Sequence, residues 1–360
     1  MSSTLDSPPP SDPAGTGTTA PVGTTPPAGG TALPETANHA RNRTRRSLLT
    51  WQFGLAIVFT LGLLVASLFV GVYDVWNNPD GWEMFLITRV PRTIALVLAG
   101  ATLAMCGLVM QLLTQNRFVS PSTAGTTEWA GLGLLLAMIL FPHGNLMVKM
   151  TLAIIASFIG TVIFFAFLQR VRLRSSVIVP IVGMMMGAIV GALSSFIALS
   201  TDMLQNVGIW FAGSFTSVVE GQWEPLLVTI LVVVAVFVTA DRFTVAGLGE
   251  EIATNVGLNY RSVMYLGTGL IAIATGVITV VVGNLPFIGL IVPNIVSMIR
   301  GDDLRSNLPW VALAGIWIVA VCDLIGRTII MPFEVPVSLI LGVVGSVVFV
   351  ILILRTRRHG

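Results

Sequence analysis

The sequence predicts an all-α polytopic membrane protein of about ten transmembrane helices with both termini in the cytoplasm. Three observations predict it. Of the 360 residues, 54% are apolar and only 10% are charged, against about 25% charged in an ordinary soluble domain. The mean hydropathy is +0.89, more apolar side chain than a soluble core of this size encloses. The apolar residues also fall into span-length runs whose flanking charges are sorted by side.

Residues 1–47 are a different polymer, built of Pro, Thr, Ser, Gly and Ala. With almost no large apolar side chains it cannot offset its ordering entropy, so it reads as a disordered cytoplasmic tail before a transmembrane domain over 48–360. Arg41, Arg43, Arg45 and Arg46 close the tail, and the apolar run at 51–72 follows. That run is long enough to cross a hydrocarbon core and too long for a signal-peptide core, which makes it a retained first helix. Further runs lie at 93–113, 123–141, 148–168, 177–199, 226–240, 263–282, 287–299, 308–325 and 335–354. The sixth and eighth are short and flanked by Gly or Pro. With the amino end inside, the outer loops hold only Arg89, Arg92, Lys149 and Arg327 of the 19 basic residues. All the others fall inside, as the positive-inside rule requires.

Several function classes drop out. A net charge of +2 gives no basic field for nucleic acid. Cys106 and Cys322 sit inside apolar runs and read as small buried hydrophobes. The one lysine, Lys149, follows Val148, so there is no Gly-Lys phosphate loop. His39, His143 and His359 all lie outside the spans, which leaves no histidine relay or histidine metal site at membrane depth. Ionisable residues within spans reduce to Glu128 and the Asp323–Arg327 pair, few for an ion-driven transporter. No nucleophile stands beside a base, so an enzyme is not indicated.

The longest inner loop, 241–261, contains a candidate short helix at 250–256. Glu250 and Glu251 suit its amino end, Gly257 its carboxyl cap, and Ile252 and Val256 share an apolar edge. By pattern alone this reads first as an amphipathic helix lying in the interface.

Five motifs, at Arg89–Arg92, Leu248–Leu258, Gly283–Pro293, Asp323–Arg327 and Phe333–Val337, in that order resemble the FecCD family of ABC-importer permeases for iron siderophores, haem and vitamin B12. Leu248-Gly249-Glu250-Glu251-Ile252-Ala253, ending in Val256-Gly257-Leu258, is similar to that family's ATPase-coupling loop. Arg89-Val90-Pro91-Arg92 resembles its Arg-x-Pro-Arg, and Gly283-Asn284-Leu285-Pro286-Phe287-Ile288-Gly289-Leu290-Ile291-Val292-Pro293 its Gly-rich stretch. Asp323-Leu324-Ile325-Gly326-Arg327 resembles its Asp-x-x-x-Arg, and Phe333-Glu334-Val335-Pro336-Val337 its entry to the last helix. The match runs from about Arg89 to Arg355 and leaves out the tail.

Two departures carry information. Asn116-Arg117-Phe118-Val119-Ser120-Pro121-Ser122 stands where many members read Asn-Pro-Leu-Ala, a variant similar to the ferric-siderophore branch. Asn294 also replaces a frequent His, which removes any role carried by that imidazole.

The resemblance implies a BtuC-like type II importer permease fold, with helices two to five and seven to ten as inverted halves. It implies a permease that takes up a ferric siderophore, with haem or cobalamin as alternative cargo. A second permease subunit, a paralogue in preference to a second copy, is implied as partner. So are two cytoplasmic ATP-binding subunits, which would hold ATP-Mg, and an extracytoplasmic siderophore-binding protein. The chain itself would carry no cofactor and no iron ligand.

Within that resemblance Gly249, Glu250, Glu251, Ala253, Gly257 and Leu258 are the coupling loop. Arg89, Arg92 and Arg327 are expected to receive carboxylates of the binding protein. Snorkelling of Arg92 and an i,i+4 pair of Arg327 with Asp323 are the plainer readings. The fifth helix carries Met184, Met185, Met186, Ser194 and Ser195, implied to line the path and gate. Its Gly183, Gly187 and Gly191, four apart, permit close helix approach. The rival readings are a stand-alone secondary transporter and a membrane scaffold. Neither needs the inner loop.

Overall fold

The computed structural model describes residues 51–71, 79–171 and 177–357. The tail, Arg172, Arg174 and Arg358 lie outside the described residues. Regular secondary structure among the described residues is helical, apart from one isolated bridge between Ile330 and Phe333. In chain order the helices are α1 (Trp51–Phe69), α2 (Gly81–Met84), α3 (Val90–Leu113), α4 (Thr126–Leu140), α5 (Leu146–Val171), α6 (Ile178–Ser200) and α7 (Leu204–Phe211). There follow α8 (Val228–Val238), α9 (Ala240–Ala246), α10 (Glu250–Asn255), α11 (Tyr260–Val281), α12 (Ile288–Arg300), α13 (Leu304–Thr328) and α14 (Val337–Arg357).

Among the described residues, six helices are long and apolar enough to cross a membrane: α1, the continuous Gly81–Leu113, α5, α6, α11 and α13. A seventh span is formed if the Glu224–Val238 and α9 pair, bent by 63°, is one. α4, α12 and the apolar part of α14 are shorter apolar helices. These segments coincide with the ten apolar runs, although not all of them are full spans.

The boundaries moved where local chemistry overrode hydropathy. The second run starts twelve positions early, because α2 feeds through a π turn (Phe85–Arg89) straight into α3. Pro91 follows the π turn inside this continuous helix, and the Ile87 carbonyl that its missing N–H leaves open accepts from the Glu220 N–H at 3.0 Å. Arg89 and Arg92 are therefore helical residues, not loop residues. The inner loop is likewise largely helical, as α9 and α10. α7 was not foreseen; with Gln205 and Asn206 in eight residues it is too short and polar to read as a run.

α3 and α11 form the centre, with 78% and 72% of their apolar windows buried, whereas α1 lies outermost with 17%. Small residues let the central helices touch. A Cβ on Gly107 of α3 would stand 2.1 Å from the backbone of Gly289 in α12, so glycine is required at that crossing. α1 is held to α13 by aromatic edges, Phe53 on Trp310 and Phe59 on Trp317, with ring centroids 5.5 and 5.3 Å apart. The indole Nε1 of Trp317 donates to Thr60 Oγ1 at 2.6 Å.

Candidate functional site

Four places matter. The charge distribution assigns the start of α1 and the end of α14 to the inner side, and sidedness below follows that assignment.

At the inner end, α10 projects as a closed unit. Gly249 enters at φ +108°, and Gly257 ends it at φ +83°. The Gly257 N–H donates to the Thr254 carbonyl and the Leu258 N–H to the Ala253 carbonyl, both at 2.9 Å. That pair of bonds is a Schellman closure, which satisfies the last carbonyls of the helix. Ala253 is fully buried and Leu258 packs on the core, so both fasten the helix. Glu250 and Glu251 are exposed, and Leu248, Ile252 and Val256 present an exposed apolar edge. Asn259 then caps α11 by accepting from the Ser262 N–H at 3.1 Å. A cleft of about 940 Å³ opens beside α10, bounded by Phe165, Gln169, Glu251, Tyr260 and Met264. Gly249, Glu250, Glu251, Ala253, Gly257 and Leu258 are thus parts of one contiguous element.

A second inner cavity, about 390 Å³, lies under α12 and is lined by Gln111, Gln115, Asn116 and Asn294. Asn294 is not an idle replacement for histidine. Its Nδ2 donates to the Arg117 and Leu290 carbonyls at 2.8 and 2.6 Å, tying the α3–α4 connection to α12. Nearby, the Ser297 hydroxyl bonds the Asp302 carboxylate, which also meets Arg117 at 2.6 Å. Those two partners hold Asp302 below the ordinary carboxylate range, with Ser297 contributing most.

On α6 the five candidate path residues divide. Met184 (44% exposed), Met185 (63%) and Ser195 lie on the open face. Met186 packs against the core, and Ser194 is buried with its Oγ donating to the Val190 carbonyl at 2.9 Å. Gly183 and Gly187 fit against the 123–128 segment, where a Cβ on Gly183 would meet the Thr123 carbonyl oxygen at 2.3 Å. Gly191 faces open space.

The outer end gathers residues from four distant segments. Arg92 on α3 points its Nε and Nη2 at Asp323 Oδ1 on α13, at 3.2 and 2.7 Å. Its Nη1 points at both oxygens of Glu334, at 3.0 and 2.9 Å. Arg327 places Nη2 2.6 Å from Asp323 Oδ2, the expected i,i+4 pair. It also donates to the Ser67 and Val70 carbonyls and the Ser67 hydroxyl at the end of α1. Arg89 donates to the Leu68 and Phe69 carbonyls at the same helix end, which carries partial negative charge. Thr216 Oγ1 donates to Glu334 Oε2 at 2.6 Å. Burial pushes the Glu334 carboxyl up, but Arg92 first and then the Thr216 hydroxyl and Arg327 outweigh it and hold it below the ordinary glutamate range. All three predicted arginines therefore converge. Sequence reasoning gave Glu334 no role, though it lies in a recognised motif, and it had no signal for Thr216.

Both ends are covered by one family match, to the FecCD transport family over residues 54–355. The chain belongs to the FecCD transport family. A relative in this family is the petrobactin import system permease FatD of Bacillus anthracis, 56% identical over 86% of this chain and 92% of that protein. The ferric-anguibactin transport system permease FatD of Vibrio anguillarum is 36% identical over 81% of this chain and 95% of that one. Among solved structures, a metal-chelate type ABC transporter in an inward-facing conformation superposes with a TM-score of 0.72. It is 22% identical and covers 83% of this chain and 97% of that one, which shows that the fold is shared.

Proposed function

We propose that this chain is the membrane-spanning permease of an ATP-driven importer for a ferric siderophore. The family match carries the reading, since it spans both the capped inner helix α10 and the outer arginine cluster, at opposite ends of one bundle. A transporter worked from both sides needs both. The FatD relatives named for petrobactin and ferric anguibactin support an iron chelate as cargo.

In this reading α10, with Gly249, Glu250, Glu251, Ala253, Gly257 and Leu258, seats in a separate ATPase subunit. ATP-Mg is held there and not in this chain. The exposed tract of α6, with Met184, Met185 and Ser195, borders the path against a second, paralogous permease, while Met186 and Ser194 set its packing. Soft uncharged walls suit a chelate that brings its own iron ligands. Arg89, Arg92 and Arg327 form the rim where an extracytoplasmic binding protein docks, at the surface of a bacterial cytoplasmic membrane.

The test is growth of a deletion strain under iron limitation with single ferric siderophores, ferric petrobactin among them. Loss of growth on one siderophore class, restored by this gene, supports the assignment. Normal growth on every siderophore, with impaired use of haem or cobalamin, overturns the cargo.

A further inference from the structure

We propose that Glu334 is a built-in stand-in for the docking partner's carboxylate, holding the outward half of the Arg92 fork until an acidic side chain of the binding protein displaces it. The proposal rests on the docking reading above and adds the residue that must leave for docking to occur.

Around the Arg92 fork the charges already balance. Two guanidiniums, Arg92 and Arg327, face two carboxylates, Asp323 and Glu334. The arginine side chains are only 12% and 4% exposed, so an approaching acidic residue finds little free positive charge. Arg92 must first be uncovered if it is to dock a carboxylate.

The two halves of the Arg92 fork differ in what holds them. Nε and Nη2 engage Asp323, which is 0% exposed, fixed within α13 and shared with Arg327. Nη1 engages Glu334, which is 26% exposed. Glu334 lies in the short connection between α13 and α14, among the exposed Ile329, Ile330, Met331 and Phe333. Glu334 alone can swing into water without disturbing a helix. When it leaves, Asp323 keeps the guanidinium oriented and Nη1 is presented outward. An incoming carboxylate then replaces like with like, taking the charge-assisted contact that Nη1 made with the two Glu334 oxygens.

The exchange has somewhere to send its signal. Glu334 also holds the Thr216 hydroxyl, and four residues on, Ser338 donates its N–H to the Gly213 carbonyl at 3.1 Å and its Oγ to the Ala212 carbonyl. Residues 212–216 directly follow α7. Removing Glu334 releases one of the ties between this turn and the entry to α14, so docking at the rim is felt at the end of α7.

The experiment uses the assembled importer in detergent and its binding protein, with affinity measured at low and high salt. Glu334→Gln removes the competing charge and keeps the shape. Thr216→Ala only loosens Glu334 and serves as the milder variant should the first not assemble. Glu334→Asp keeps the charge. The expected result is about tenfold tighter binding at low salt for Glu334→Gln, the worth of one freed charge-assisted bond, shrinking at high salt. Thr216→Ala gives a smaller gain, and Glu334→Asp stays near wild type. Unchanged or weaker binding in both Glu334→Gln and Thr216→Ala, in complexes that assemble with the ATPase as wild type does, overturns the proposal. Arg92→Gln separates the two levels. If it weakens binding while Glu334→Gln changes nothing, docking stands and the stand-in falls; if it leaves affinity untouched, both fall.

Discussion

Arg92 and Asp323 lie 231 positions apart in the chain and meet at 2.7 Å, with the aspartate entirely shielded from solvent. A buried pair of this kind is weak evidence of net stabilisation, because desolvation offsets most of the attraction. Its importance is that neither member can be removed alone. Asp323 is shared by two arginines from α3 and α13, and Arg327 carries the tie onward to the end of α1.

From this the first prediction follows. Asp323→Asn leaves two guanidiniums facing one carboxylate and should cost about 3–5 kcal/mol, the range for breaking a buried pair. Thermal unfolding of the purified permease checks it. The paired change Asp323→Leu with Arg327→Met, which removes charge of both signs, should recover part of the loss. A single variant that melts with wild type would show that the pair is dispensable.

The second prediction concerns pH. Glu334 is held below the ordinary glutamate value of about 4.3, so its folded form binds protons less readily than the unfolded chain. Its contribution is then fully present above about pH 4.3 and lost as pH falls through the lowered folded value. The stability difference between wild type and Glu334→Gln should stay constant from pH 7 to about 5, then shrink on further acidification. A difference that instead vanishes near neutrality contradicts the arrangement, and denaturant titrations at stepped pH decide it.

The apolar segments were legible because lipid forces apolar residues into unbroken lengths. α10 was legible through its caps. What escaped was anything decided by packing. The bend after α8 comes at Thr239, inside a run that hydropathy reads as continuous to 240. The start of the second span was misplaced because Glu83 and Arg89 read as loop, whereas the chain helixes through both and places Arg89 against the carbonyls ending α1. The arginines were found as charges out of place. Their mutual engagement depends on three helix ends meeting, which no spacing in the sequence encodes.

The third prediction tests the central crossing. Gly107→Ala would place a Cβ 2.1 Å from the Gly289 backbone, with no flexible side chain there to give way. Overpacking should destabilise by about 1–3 kcal/mol or more and lower the yield of folded permease. Gly269→Ala in α11 is the matched control, since its Cβ meets nothing within 4 Å. That change should be neutral or slightly stabilising, because alanine favours a helix interior. Equal melting losses for both, read by unfolding in the same detergent, would count against close backbone contact at Gly107.

The last prediction concerns Gly257. A Cβ there meets nothing within 4 Å, so crowding gives no reason for glycine. The reason is the backbone: φ is +83°, where a β-branched residue is strained by about 1–3 kcal/mol. Gly257→Val should therefore open the Schellman closure, freeing the Thr254 and Ala253 carbonyls and reorienting α10 against α11, while the buried bundle is untouched. Uptake of the ferric siderophore should be abolished with the protein still at normal level in the membrane. Gly257→Asn, which tolerates left-handed backbone, should keep part of the activity. The ordering Gly, then Asn, then Val is what conformational strain requires, whereas loss of a side-chain contact predicts no such order. Normal transport with intact ATPase binding in Gly257→Val would remove α10 from the coupling role.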